Sequence, residues 1–180
     1  MMADPAIDLW SLDEVHFQQH GSRCRMWIAP EIRDPLHYHH PTRKSVGYLG
    51  AVRLSDGKFV YHRALDKFDQ HSFWAFLRLL QRNSRRRGRR VVVILDNATY
   101  HRAKLHEAWR QKMMPKFDLF FLPPYSPELN PIERVWKLTR YRCIHNRYFG
   151  FLDGIVEAVE DQFHRWRKPN KSLAALCAKI

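Results

Sequence analysis

One hundred and eighty residues, 45% of them hydrophobic, suffice for one domain with a real core, and no run of eighteen apolar residues suggests a membrane span. Thirty-one lysines and arginines against eighteen acids leave a formal charge of +13 and a pI near 10.1, more than solubility requires, which favours a polyanion as partner. Cys24, Cys143 and Cys177 show no metal-ligand spacing, and the opening MMADPAIDLW has neither a basic n-region nor an apolar h-region. These features lead to the expectation of a soluble chain in a reducing cytoplasmic setting, without a disulfide framework.

The first third reads as short strands: Leu9 to Phe17, Arg23 to Ala29, then Ser45 to Leu54 and Lys58 to Leu65 on either side of Asp56-Gly57, a strong hairpin signal. Helix and strand then alternate. Phe73, Phe76, Leu77 and Leu80 recur at helical spacing, Val91 to Leu95 is a buried strand, a polar helix is predicted from about Arg102 to Met113, and a strand from Phe117 to Leu122. Two more helices follow, one starting near Pro131 and one from about Phe151 to Trp166. Three antiparallel strands followed by two βα units predict a mixed five-stranded sheet flanked by helices, in the ribonuclease H-like order. Residues 1–180 are expected to form a single domain.

Two segments carry the chemistry. Val91 to His101, VVVILDNATYH, is a β-branched run that ends on Asp96, and ligands of open α/β sheets gather beyond the carboxyl ends of parallel strands. Phe121 to Trp136, FLPPYSPELNPIERVW, carries Glu133 at the start of a helix. Each acid also has a plain structural reading. Asp96-Asn97 could close the strand in an Asx turn, and Asn130, Pro131 and Glu133 could form a capping-box-like helix start. Asp13 and Glu14 point to opposite faces of the first strand, so one of the two is expected to face solvent or pair with an arginine. His101 could orient a phosphate or make a local hydrogen bond at a helix start. His37, Tyr38, His39 and His40 look like a metal cluster, but neighbouring strand residues diverge and no acidic or cysteine partner is at helical spacing, which favours a loop or a nucleic-acid contact.

With these motifs in view, the chain resembles the DDE transposases of the mariner-like group of bacterial insertion sequences. The resemblance runs from Leu12-Asp13-Glu14 through Ile94-Leu95-Asp96-Asn97-Ala98 and His101 to Leu122-Pro123-Pro124-Tyr125-Ser126-Pro127-Glu128-Leu129-Asn130-Pro131-Ile132-Glu133 and Trp136. It implies that Asp13, Asp96 and Glu133 are the catalytic acids and hold two Mg²⁺ ions, with Mn²⁺ as substitute, for metal-dependent DNA strand cleavage and strand transfer. Such ions stabilise the attacking and leaving oxygens of an in-line displacement, and three carboxylates suit hard cations. The implied partners are double-stranded DNA, as element ends and target, and a possible second copy of the chain in a DNA complex, with no membrane contact and a nucleoid-associated cytoplasmic location.

DNA contacts are expected from Arg85, Arg86 and Arg87 in the arginine-rich loop before Val91, from His101, and from Lys137 and Arg140 on the Glu133 face of its helix. Trp136 is expected in the core. Full-length relatives carry an N-terminal helix-turn-helix reader, and this chain is expected to lack it, as a split-gene product, a degraded copy or an excised piece would. Two rival readings are a non-catalytic DNA-binding remnant and a ribonuclease H-class nuclease acting on RNA–DNA hybrids.

Overall fold

The computed structural model describes residues 6–20, 22–25, 27–32, 38, 41–64, 67–84, 88–114 and 116–178. Five strands, β1 (Ile7–Gln18), β2 (Ser45–Arg53), β3 (Phe59–Ala64), β4 (Arg90–Leu95) and β5 (Phe117–Phe121), form one sheet in the order β3-β2-β1-β4-β5. The first three pair antiparallel, whereas β4 runs parallel to β1 and β5 parallel to β4. This is the mixed ribonuclease H-like sheet that the strand order predicts.

The central strand β1 is covered on both sides. Trp10 and Leu12 face one core, where α1 (Gln70–Asn83) lays down Phe73, Phe76, Leu77 and Leu80 beside Val93 and Leu95 of β4. That helix begins where the Asp69 side chain accepts the His71 and Ser72 amides while the Ser72 hydroxyl accepts the Asp69 amide, a capping box that fixes its entry. Val15 and Phe17 face the other core, which is roofed by α3 (Ile132–Thr139), α4 (Leu152–Arg165) and α5 (Lys171–Ala178). Here Phe59 packs edge-on to Trp136 at 5.7 Å and obliquely on Phe163 at 4.9 Å, contacts worth about 0.5–1.5 kcal/mol each beyond their burial.

Gly50 of β2 makes room for this arrangement. It pairs with Asp13, and a Cβ there would lie 2.3 Å from the Trp136 ring. A second glycine has a backbone reason: Gly57 has φ +71°, and a Cβ would strike the Asn170 carbonyl at 2.1 Å.

Several segments depart from the sequence reading. The described residues within 23–29 form no strand. They are tied instead to the far end of the chain, because the Asn146 side chain accepts the Cys24 amide and donates to its carbonyl. The Asp56-Gly57 connection is real but longer than a two-residue turn, since β2 ends at Arg53 and β3 begins at Phe59. The helix predicted over 102–113 is broken into 3₁₀ turns at Thr99–Arg102 and Lys104–His106 followed by α2 (Glu107–Met113). Ala103, at ψ 144°, interrupts it and lets His101 and His106 both turn inward.

The helix α5 is an addition: Asn170 caps it by accepting the Leu173 amide, and Leu173 and Cys177 anchor it. Arg140 closes α3 with helical backbone, its N–H bonded to the Trp136 and Lys137 carbonyls. The chain widens into a π turn at Arg140–Ile144, and the Arg140 guanidinium lies over Phe17 at 5.6 Å. Arg85, Arg86, Arg87, His37, His39 and His40 lie outside the described residues.

Gly50→Ala is expected to displace the Trp136 indole and cost about 1–3 kcal/mol of stability, as overpacking of a dense core does. Urea denaturation measures it. A midpoint equal to that of the unmodified protein would show that the indole has room to move.

Candidate active site

Three elements converge at one end of the sheet. Ser11 of β1 pairs with Ile94 of β4, so two residues further on Asp13 stands level with Asp96, just past the last paired residue of β4. Adjacent strands lie about 4.8 Å apart, which keeps the two acids on neighbouring lines. Glu133 comes in on the first turn of α3. Asp13, Asp96 and Glu133 together line a cleft of about 590 Å³ whose remaining wall includes Asn97, Leu122, Asn130 and the segment Pro123 to Pro127.

The start of α3 differs from a capping box. No side chain caps it; Asn130 turns back to β1, where its amide donates to the Leu12 carbonyl at 3.1 Å and its carbonyl accepts the Ser11 hydroxyl. The Ser11 hydroxyl in turn accepts the Ile132 amide at 3.0 Å. Docking onto the sheet thus replaces capping, and the Glu133 side chain is left at the cleft.

The three acids sit in different surroundings. Asp13 is buried, and Trp136 donates its indole N–H to Asp13 Oδ2 at 3.1 Å. Burial first, then the neighbouring Glu14 and Glu133 carboxylates, push its proton affinity up to about 8. Asp96 is more exposed, and the His101 ring, ahead of the Ala98 amide, holds its carboxyl below the usual range. A cleft in which one buried carboxyl holds its proton so firmly is short of positive charge. Three oxygen donors there fit a hard divalent cation, and Asp13, Asp96 and Glu133 are the residues that would hold it.

His101 does not face outward as a DNA contact would. It is fully buried, with Nδ1 2.9 Å from Asp96 Oδ1 and 3.3 Å from the Asp96 carbonyl. Both of those atoms accept, so the ring hydrogen is assigned to Nδ1. Glu14 is neither solvated nor paired with an arginine. Tyr100 donates its hydroxyl to Glu14 Oε1, and Glu14 Oε2 lies 3.8 Å from His101 Nε2. One ligand atom each from Glu14, Asp96 and His101 falls within 4.8 Å of the others.

Asn97 donates to the Leu122 carbonyl and accepts from Arg102, whose guanidinium covers Phe121 at 4.3 Å, so the strand-end loop is pinned to β5. Lys137 is exposed beside Glu133 and helps line a second groove with Pro127, Glu128 and Arg134. Arg134 itself reaches the Leu176 and Cys177 carbonyls and ties α5 to α3.

Sequence reasoning missed Ser11, Tyr100, Tyr125 and the role of Asn130. Only Tyr125 carried a signal, the tyrosine between Pro124 and Ser126. It is fully exposed on the cleft's lip, at φ +56°, a strained backbone for a bulky residue.

The chain is similar to known proteins in sequence and in fold. Residues 8–155 match the family model described as DDE superfamily endonuclease. The chain is 42% identical over 69 residues to the uncharacterized protein y4pE/y4sA of Sinorhizobium fredii, covering 38% of this chain and 47% of that protein. It is 36% identical over 64 residues to the insertion element IS630 uncharacterized 39 kDa protein of Shigella sonnei, covering 34% and 18%. Among solved structures, the Mos1 mariner paired end complex with Mn superimposes with a TM-score of 0.69 at 16% identity, covering 96% of this chain and 52% of that one. The matches thus span about half or less of each relative's length.

A carboxyl that binds its proton more tightly folded than unfolded supports the fold fully only below its unfolded value, and that support is lost as pH rises through the folded value. For Asp13 the window runs from 3.8 to about 8. Glu14, raised mainly by burial, acts in the same direction. In the metal-free protein the thermal midpoint should therefore fall across this window, and Asp13→Asn should flatten the fall. Midpoints that do not respond to Asp13→Asn would mean that this carboxyl is no more shielded than a surface one.

Proposed function

The chain belongs to the DDE superfamily of endonucleases, and from that premise we propose that it is the catalytic domain of a transposase that cleaves DNA strands and joins the freed 3′ end to target DNA. The observation that supports this most is the meeting of Asp13, Asp96 and Glu133, from three separate elements, on one cleft.

DDE nucleases use divalent metal, and in this reading Asp13, Asp96 and Glu133 hold two such ions, Mg²⁺ with Mn²⁺ as substitute. When bound, the ions lower the pKa of water and stabilise the attacking and leaving oxygens of the phosphodiester. The chain's own groups do the rest. Asp13, buried under Trp136, would serve as a ligand whose carboxylate the indole N–H holds in place. Asp96 is kept ionised beside His101. Lys137 stands where it can meet a phosphate of the bound strand, and Arg85, Arg86 and Arg87 are assigned to flanking or target duplex. Arg140, partly exposed with its guanidinium over Phe17, stays with Lys137 as a DNA contact in this reading, whereas His101, buried, is reassigned to structure.

In the same reading residues 1–180 are one catalytic domain, with a second copy joining in the DNA complex. The location is the cytoplasm, beside nucleoid DNA. No helix among the described residues is long and apolar enough to cross a membrane.

Asp13→Asn, Asp96→Asn and Glu133→Gln should each lower Mn²⁺-dependent nicking of duplex DNA by about 10³-fold or more, since each removes several kcal/mol of transition-state stabilisation, while each variant stays folded. Gel assay of nicking checks this. Unchanged nicking by Glu133→Gln would remove that residue from the set, and cleavage of RNA–DNA hybrid in preference to duplex would replace the transposase reading with a ribonuclease.

DNA binding rests on phosphate neutralisation, so log K should fall by about 0.9 per decade of salt for each phosphate contacted. Arg85→Ala, Arg86→Ala and Arg87→Ala combined should weaken binding to all duplexes alike and flatten that slope, as filter binding would show. Tight binding to one sequence that ignores salt would contradict a backbone-only interface.

A further inference from the structure

Glu14 stands on the sheet face opposite Asp13 and has no part in the cleft, yet only 22% of its side chain is exposed. Burying a carboxylate costs several kcal/mol unless it is compensated, so its partners matter. One oxygen accepts the Tyr100 hydroxyl; the other faces His101 Nε2 at 3.8 Å, and neither of these last two atoms has a hydrogen-bond partner among the described residues. The His101 ring is wedged between Phe73 at 4.3 Å and Tyr100 at 4.5 Å, so it cannot turn freely. Its opposite nitrogen is the one on Asp96 Oδ1.

We propose that Tyr100, Glu14 and His101 form a positioning relay that fixes the Asp96 carboxylate, with Oδ1 committed to the histidine and Oδ2 left for a divalent cation. The inference rests on the metal-cleft reading of Asp13, Asp96 and Glu133. Asp96 lies past the end of β4, and 52% of its side chain is exposed, so nothing in the strand itself sets its rotamer. The imidazole does. Glu14 confines the imidazole in turn: its Oε2 flanks the other nitrogen at 3.8 Å, a contact without a hydrogen bond, which with the Phe73 and Tyr100 rings limits how the imidazole can lie. Tyr100 fixes Glu14 and packs on the ring as well, so all three groups act on Asp96 without touching substrate. Groups that orient a metal ligand in this way typically change metal affinity by about 10–100-fold when removed.

The test is Mn²⁺ affinity by titration calorimetry, with unfolding midpoints as control. His101→Phe keeps the ring packing and should weaken Mn²⁺ about 10–100-fold. His101→Asn, whose amide falls near the Nδ1 position, should keep most of the affinity, whereas His101→Gln, whose amide reaches the Nε2 position, should not. Glu14→Gln should give a smaller loss in the same direction. The Asn/Gln split is the deciding readout, because a merely structural role would not separate two amides of similar polarity, and it stands even if the Phe variant does not fold. Parental affinity in folded His101→Gln and Glu14→Gln would overturn the relay and leave the cleft reading intact. Binding indifferent to Asp13→Asn and Asp96→Asn would overturn the cleft reading, and the relay with it. Binding that survives Asp13→Asn but is lost in Glu14→Gln would place the ion on Glu14, Asp96 and His101 themselves and also overturn the relay.

Discussion

The buried clasp between β1 and the start of α3 determines where every other part of the cleft can be. Ser11 and Asn130 are 119 positions apart in sequence, and both are buried. Together they satisfy the Ile132 amide and the Leu12 carbonyl in a dry setting. Each such bond is worth about 0.5–1.5 kcal/mol net, but an orphaned partner costs about 1–3 kcal/mol, so the clasp is specific as well as stabilising. From that anchor Glu133 is placed one residue after Ile132. Trp136, one turn later, reaches over Gly50 to Asp13. The same Ser11 is in register with Ile94, so one residue of β1 fixes both the helix that bears Glu133 and the strand that ends in Asp96.

The electrostatics of the cleft run against those of the chain. A protein of net charge +13 gathers Asp13, Glu14, Asp96 and Glu133 at one sheet end and draws two of them in opposite directions, Asp13 toward its protonated form and Asp96 away from it. The difference comes from placement. Asp13 is covered by an indole and two carboxylate neighbours, whereas Asp96 has a histidine and a backbone amide. Positive charge near the rim is partly spent on structure: Arg134 serves α5 and Arg102 the strand-end loop. Lys137 remains exposed to solvent beside Glu133.

Much of this was legible in the sequence because it is written in short periods. β4 and β5 follow from β-branched and aromatic runs, α1 from its four-residue apolar stripe, and the sheet order from antiparallel strands giving way to alternation. Asp96 and Glu133 stood out because each closes or opens an element. Contacts between distant segments have no such period. The Asn130 side chain carries a strong capping signature, but a nearby strand with unsatisfied groups outcompeted the helix end. Alternation left one of Asp13 and Glu14 for solvent or an arginine, and only the broken 99–106 segment, which brings Tyr100 and His101 back against β1, shows why Glu14 is largely covered as well. The π turn at Arg140–Ile144 likewise leaves no mark in residue spacing.

Tyr125 and the prolines around it give the cleft a lip with little freedom left to lose. Pro123, Pro124 and Pro127 each fix one backbone angle, and Tyr125 is held between them in a left-handed conformation. Much of the conformational entropy of this rim is therefore surrendered when the chain folds, not when a strand arrives. In the reading proposed above, a rim of this kind would not close over its ligand, so the deformation needed to bring a phosphodiester down to the acids would fall on the nucleic acid. Substrates that already bend or fray at low cost would enter most readily, a selectivity set by the stiffness of the duplex and independent of any base contact.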